Sequence, residues 1–527
     1  MIILLILFSI FFTALAIYNL QLAVSLLIVL LPAYLIRFQL GPLPSTLLEV
    51  MIWLVFLVWF IANFSELKTN VYESFKRLTR KSTNGRIKID YPFGREIILL
   101  LIVSFVAAGV SGFSNSALGI WKAYFFEPIL LYIVVLNVFG RNVILEGARR
   151  PIESREKQQD PIASFQDDKL PKLLWALCIS ALAVSLLAIY QKITGNLIDN
   201  PFWAAAGTRR VVSFFGYPNA VGLYLGPLVL LFIGWFSYAK QVCRAPKKLQ
   251  LLIALSITLS LIAIIFAKSA GAILGVAAGL AVFCLLASSP RWSSGEAGRR
   301  TRIAVIAVIA LAVISCAAVP LARHQVWDKL TLRDFSGTVR RIGWNDSWKM
   351  LSDGRLIFGA GLANFQQAVK PYHQPGFYVS DGTPDFWQRI RTDAALRARV
   401  WQPLEIYLYP HNIFLNFWSE LGLAGMLLFV WIIGKYFFIG LKLINVIPAK
   451  AGIQKDALDS GKILDPRLRG DDNKKFLVLG LISAMVVIVV HGLVDVPYFK
   501  NDLAVLFWLM IAMLSIINNN YQTKKIL

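Results

Sequence analysis

The chain has 527 residues, 57% of them hydrophobic and only 16% charged. A soluble domain carries about 25% charged residues, so this composition excludes a water-soluble globular enzyme and points to an integral membrane protein. The net charge of +23 does not imply a nucleic-acid partner. Lys and Arg gather in short connections between apolar runs, as expected of cytoplasmic loops, and no nucleic-acid-binding motif accompanies them.

The first stretch, "MIILLILFSIFFTALAIY", has neither a basic start nor a small-residue cleavage site, and is read as a retained helix over 2–18. Further apolar spans follow near 20–36, 44–64, 96–112, 120–140, 172–190, 217–238, 249–266, 270–287, 303–321, 413–441, 476–497 and 503–518. That gives about 12 or 13 helices of bilayer-crossing length. In lipid such runs are helical, because each backbone polar group needs a partner within its own segment. The expected fold class is an all-α polytopic membrane bundle with one large extracytoplasmic loop of short helices. Its parts are N-terminal helices over 1–208, a second helix group over 209–321, the loop over 322–411, and C-terminal helices over 412–527 with a cytoplasmic insertion near 444–475.

Charge sets the orientation. The basic stretches after the third, fifth, seventh and ninth spans fall on one side when the helices alternate, and the positive-inside rule makes that side cytoplasmic. The Arg323–Pro410 loop then lies outside, together with "TGNLIDNPFWAAAGTRRVVSFFG". The tryptophans and tyrosines of the long loop argue for folded structure in it. The stretch "INVIPAKAGIQKDALDSGKILDPRLRGDDNKK" has no pattern suited to a core. It resembles a translated genomic repeat and is read as a tolerated insertion. Cys178, Cys243, Cys284 and Cys316 show no metal-ligand or disulfide spacing and are read as small core residues.

Chemistry concentrates at the outer ends of helices. In "LYPHNIFLNFWSELGLAG" an imidazole, His411, stands between Pro410 and Asn412 where a long apolar helix begins. It serves either as an interfacial polar group or as a base able to take a proton from a sugar hydroxyl near neutral pH. Asn412, Asn416 and Glu420 follow at a spacing of four, on one helix face. Glu420 is either a cavity-facing carboxylate or a helix-end residue. In "SGTVRRIGWNDSWKMLSDGRLIFGAGLANF", Arg340 and Arg341 are either phosphate ligands, or solvated or paired with Asp334 and Asp346. Arg209 and Arg210 precede a Tyr-Pro-Asn entry into the seventh span. They are read as interfacial anchors or as a second basic site. Glu49, Lys122 and Glu127 lie in or beside apolar runs as buried polar pairs or pathway residues without a specific role, and Pro128 loosens the backbone there.

The order and spacing of these segments resemble the O-antigen ligase / O-antigen polymerase superfamily of bacterial membrane glycosyltransferases. "RVVSFFGYPNAVGLYLGPLVLL", "FAKSAGAILGVAAGLAVF", "VRRIGWNDSWKMLSDGRLIFGAGLANF", "YPHNIFLNFWSELGLAGMLLF" and "HGLVDVPYFKND" carry the likeness, over roughly 209–517. It implies an enzyme of the bacterial plasma membrane that moves a glycan from undecaprenyl pyrophosphate to an acceptor at the outer face, without a metal or other cofactor. The acceptor is a glycan, a lipid or a protein. His411 would be the base and Arg340 a pyrophosphate ligand, with Arg341 its rival if the register slips by one. Asn412 and Glu420 fall in the same motif. Where the family's helix start has Ser-Arg this chain has Ser269-Ala270, so Lys268 or Arg210 would supply the second cation. The other reading, a transporter or flippase of lipid-linked glycans, calls for internal repeats with interrupted helices, and none is visible in the sequence.

Overall fold

A computed structural model describes residues 2–40, 43–77, 91–140, 169–241, 245–287, 328–329, 331–459 and 474–526. It is an all-α membrane bundle. The helices are α1 (Ile2–Tyr18), α2 (Leu20–Val29), α3 (Leu47–Arg77), α4 (Gly94–Val110), α5 (Asn115–Trp121) and α6 (Glu127–Gly140). Next come α7 (Leu170–Thr194), α8 (Pro201–Ala204), α9 (Pro218–Gln241), α10 (Lys247–Ala267) and α11 (Ala270–Ala287). The long loop folds as α12 (Phe335–Met350), α13 (Phe365–Val369), α14 (Phe386–Thr392) and α15 (Ala394–Val400). Then α16 (Ile413–Asp459), α17 (Lys475–Gly492) and α18 (Asn501–Ile526) close the chain.

Among the described residues, nine helical stretches are long and apolar enough to cross a membrane. The span expected near 303–321 and His324 lie outside the described residues, as do Cys243 and Cys316. The span expected over 20–36 is shorter than anticipated. Its α-helix stops at Val29 and a 3-10 turn covers Leu31–Leu35, because Pro32 has no N–H to continue the ladder. Helix α16 in turn runs on to Asp459, into the stretch expected to be an insertion near 444–475.

Helices α9, α11 and α17 pack through glycines. A Cβ at Gly234 would lie 2.5 Å from the Phe476 carbonyl oxygen, and one at Gly279 would lie 2.8 Å from that of Ser483. Lipid offers no hydrophobic driving force between helices, so close backbone approach of small residues does the work. Pro128 has the expected effect. It cannot donate to the Tyr124 carbonyl, the backbone widens into a π turn over Lys122–Phe126, and that carbonyl instead accepts from the Tyr498 hydroxyl at 2.8 Å. The nearby charges meet as anticipated: Lys122 Nζ is 2.6 Å from Glu49 and 3.8 Å from Glu127.

The long loop is folded, as its aromatic content suggested. Its short helices enclose two small cores, one around Met350, Phe365 and Val369 and the other around Phe386, Ile390 and Leu396. A two-stranded antiparallel ribbon, Gly376–Tyr378 with Trp401–Pro403, ties the loop's middle to its end. A similar ribbon, β1 (Arg37–Leu40) with β2 (Leu43–Thr46), joins α2 to α3.

Candidate functional site

Four segments meet at one end of the bundle: the loop before α9, the turn between α10 and α11, helix α12 with the start of α16, and the 493–500 connection between α17 and α18. Asn412 is the N-cap of α16. Its Oδ1 accepts from the Phe414 and Leu415 amides, both at 3.0 Å, and its Nδ2 donates to the Leu493 carbonyl at 3.1 Å. These bonds satisfy amides a helix start leaves free and fix the residue before the cap. That residue, His411, has φ +50, a left-handed conformation more accessible to His than to most side chains.

The His411 ring is held edge-on by Tyr407 and Tyr409, with centroids 5.0 and 5.3 Å away. Its Nδ1 faces Asp495 Oδ1 at 3.8 Å; the Asp495 side chain is 1% exposed and that of His411 23%. Nδ1 is buried, so Nε2 is the nitrogen left for the cleft. Apo catalytic contacts are often this long and close up on binding. The other Asp495 oxygen accepts from Asn219 Nδ2 at 3.0 Å, and the Val496 amide donates to Oδ1 at 2.9 Å. Burial alone would raise the Asp495 pKa, but His411, His491 and the Val496 amide outweigh it and hold the carboxyl down to about 2. Its charge is therefore constant across the neutral range.

Arg340 lines the same cleft as His411, together with Val339, Asp346, His373, Glu405 and Tyr407. Its Nε donates to the Val494 carbonyl at 2.8 Å and its Nη1 to Ser336 Oγ at 2.7 Å. Neither acceptor carries a charge. Arg210 donates from Nε to the Ala267 carbonyl at 3.0 Å and from Nη2 to Asn219 Oδ1 at 3.2 Å. Asn219 thus links Arg210 to Asp495. Burial, and then the charge of Arg340, disfavour the protonated form of Arg210. Among the described residues neither guanidinium has a carboxylate within ion-pair distance. The acceptors that both guanidiniums bond are neutral, with the Asp495 carboxylate one hydrogen-bonded step away through Asn219.

The other sequence candidates fall elsewhere. Asp334 caps α12 through the Gly337 amide, and Asp346 takes the Gln374 amide at 3.1 Å and faces His373 at 3.6 Å. Neither acid neutralises Arg340 or Arg341, so the ion-pairing alternative for those arginines does not hold. Arg341, about 100° further round α12, is exposed. Lys268, at φ +52 between α10 and α11, is exposed, and its Nζ lies 3.5 Å from the Thr208 carbonyl. Arg210 occupies that turn instead. Glu420 does not face the cleft: it is 5% exposed and its Oε2 accepts from the Ala363 amide at 2.9 Å, anchoring the "FGAGLANF" loop. The polar atoms of Asn412 are committed to the cap, which leaves it to position His411. Arg209 closes the end of α7 through the Lys192 and Ile193 carbonyls. Asp495 and Asn219 were not singled out from sequence; the signals were an acid just past the end of a span and an amide just after Pro218.

A bundle of apolar helices with a cleft lined by His411 and Arg340 at one end, roofed by a folded loop, defines a multi-pass membrane protein with a polar site at its boundary. Residues 255–430 match the family model described as O-antigen ligase. That segment is about a third of the chain, and over it the protein is similar to O-antigen ligases, which supports the likeness to the O-antigen ligase / O-antigen polymerase superfamily. The match contains His411 and Arg340, but stops short of Arg210 and Asp495, so it is narrower than the likeness read from sequence. None of the curated proteins matches the chain. The family supports a membrane enzyme of the glycosyltransferase type.

Proposed function

We propose that the protein transfers a glycan from undecaprenyl pyrophosphate to the hydroxyl of a glycan, lipid or protein acceptor at the outer face of the bacterial plasma membrane, as a ligase or polymerase. The observation that carries this reading is the convergence of His411, backed by the ionised Asp495, with the guanidinium of Arg340, which has no ion-pair partner among the described residues, in one cleft. His411 Nε2 takes the acceptor hydroxyl proton as the oxygen attacks the anomeric carbon. The bond to the pyrophosphate breaks, and its growing charge is met by Arg340 and Arg210. Asp495 steadies the imidazolium formed at His411. Pyrophosphate is a good leaving group, so positioning and one base account for the step.

The two adjacent arginines test the register. Arg340→Ala should weaken binding of polyprenyl pyrophosphate by about 10–100-fold, the equivalent of one charge-assisted hydrogen bond of about 1.5–3 kcal/mol. Arg341→Ala should leave binding unchanged. Titration of the purified protein in lipid nanodiscs reads both, and the reverse pattern would overturn the assignment.

Asp495→Asn should lower kcat by about tenfold or more while leaving the donor KM unchanged, since the carboxylate backs the base and not the phosphates. Because the Asp495 pKa is depressed to about 2, its stabilising effect is complete above the ordinary carboxyl value of about 3.9 and fades as pH falls toward 2. The pH–rate profile from about 5 to 9 should therefore show no step that disappears in Asp495→Asn. Such a step would mean that the carboxyl titrates in the working range.

A further inference from the structure

The 493–500 connection that frames the cleft ends on a cation the mechanism above does not use. The ammonium of Lys500 lies 4.9 Å from the ring of Tyr34, 4.9 Å from Phe215 and 5.0 Å from Tyr217. Among the described residues it makes no hydrogen bond and no ion pair. Asp502, two residues on, is fully buried, and among the described residues neither of its oxygens has a hydrogen-bond partner and neither comes within ion-pair distance of Lys500. Arg37, on β1 three residues beyond Tyr34, whose ring the Lys500 ammonium faces, is exposed and among the described residues has no carboxylate within ion-pair distance. Tyr217 touches Lys500, while Asn219, two residues further, touches Arg210. Lys500 and Arg210 thus lie against neighbouring residues of one loop, at the end of the bundle where His411 stands.

An ammonium with three unused donors, walled by aromatic rings, suits a phosphate. The rings exclude water, which strengthens an ion pair, and phosphate oxygens accept several charged donors at once. We propose that Lys500 and Arg37 form a second phosphate subsite, separate from that at Arg340 and Arg210, for a phosphate carried by a lipid-linked substrate. This rests on reading the protein as a transferase of lipid-linked glycans. The phosphate belongs either to the acceptor or to the donor, and kinetics separate the two.

The full-length protein in detergent is titrated with inorganic pyrophosphate by calorimetry. Wild type should bind two equivalents. Lys500→Met and Arg37→Met should each remove the same one, Arg210→Met the other, and Lys500→Arg should keep both, showing that charge and not folding is at stake. One equivalent in wild type, or two in Lys500→Met, overturns the subsite; so does a single equivalent weakened by both Lys500→Met and Arg210→Met. Two equivalents left intact by Arg210→Met would instead overturn the phosphate role of Arg210 while the Lys500 result stands. In transfer assays, Lys500→Met should raise one KM by about tenfold: that of the acceptor if its phosphate is held there, that of the donor if the donor's is. Both KM values unchanged in a folded variant would also overturn it.

Discussion

His411→Ala should reduce glycan transfer by about 10²–10⁴-fold, the span a positioned general base contributes, while the protein still inserts and accumulates. The ring contributes little to folding. It is held by two tyrosine edges, and among the described residues its buried Nδ1 makes no hydrogen bond. The backbone is the complication, because φ at this position is +50 and alanine there costs about 1–2 kcal/mol. His411→Asn separates the two effects, since Asn tolerates the left-handed region better. It should lose transfer as fully as the alanine variant while matching wild type in thermal midpoint. Transfer is measured with a purified lipid-linked glycan and the protein in liposomes, and in cells the unligated lipid-linked glycan should build up. Wild-type rates from a well-folded Asn variant would remove His411 from the chemistry.

Much of this arrangement was legible in the residues. The apolar runs dictated helices, Pro128 marked the widened turn, and the aromatic residues of the long loop announced structure. Pro410-His411-Asn412 marked a helix start, and the cap geometry shows why: Asn412 satisfies two amides and leaves His411 at the rim. What sequence left open was rotation and distance. Arg340 and Arg341 differ by one residue, about 100° on a helix, and the packing of α12 against the Val494 carbonyl puts Arg340 in the cleft and Arg341 outside. Asp495 is 84 positions from His411, and no local pattern ties the two. Glu420 sat at the right spacing for a cavity-facing acid, yet a loop nearly sixty residues earlier in the chain folds back and supplies the amide that binds it.

That fold-back depends on one residue. Helix α16 breaks at Gly422, where φ is +75 and ψ −176, a region open essentially to glycine alone. The break frees the Leu423 amide to donate to the Ile357 carbonyl at 3.0 Å. Beside it the Ala360 amide reaches the Ser419 carbonyl at 2.7 Å, Trp418 Nε1 reaches Leu356 at 2.8 Å, and Ala363 reaches Glu420. A Cβ at 422 would lie 2.0 Å from the Ile357 carbonyl oxygen, so Gly422→Ala cannot keep both the break and the loop. The backbone region alone costs about 1–3 kcal/mol, and each lost hydrogen bond adds about 0.5–1.5 kcal/mol. The alanine variant should therefore lose several degrees of thermal midpoint in detergent and become open to proteolysis between 356 and 363. Phe365 and Val369, just beyond that loop, form a wall of the cleft with Arg340, so transfer should fall along with protection. Glu420→Gln, which keeps an oxygen for the Ala363 amide, should be much milder in both measurements. If Gly422→Ala matched wild type in midpoint and protease resistance, the loop would be held in place by something other than this break, and the cleft wall would not depend on it.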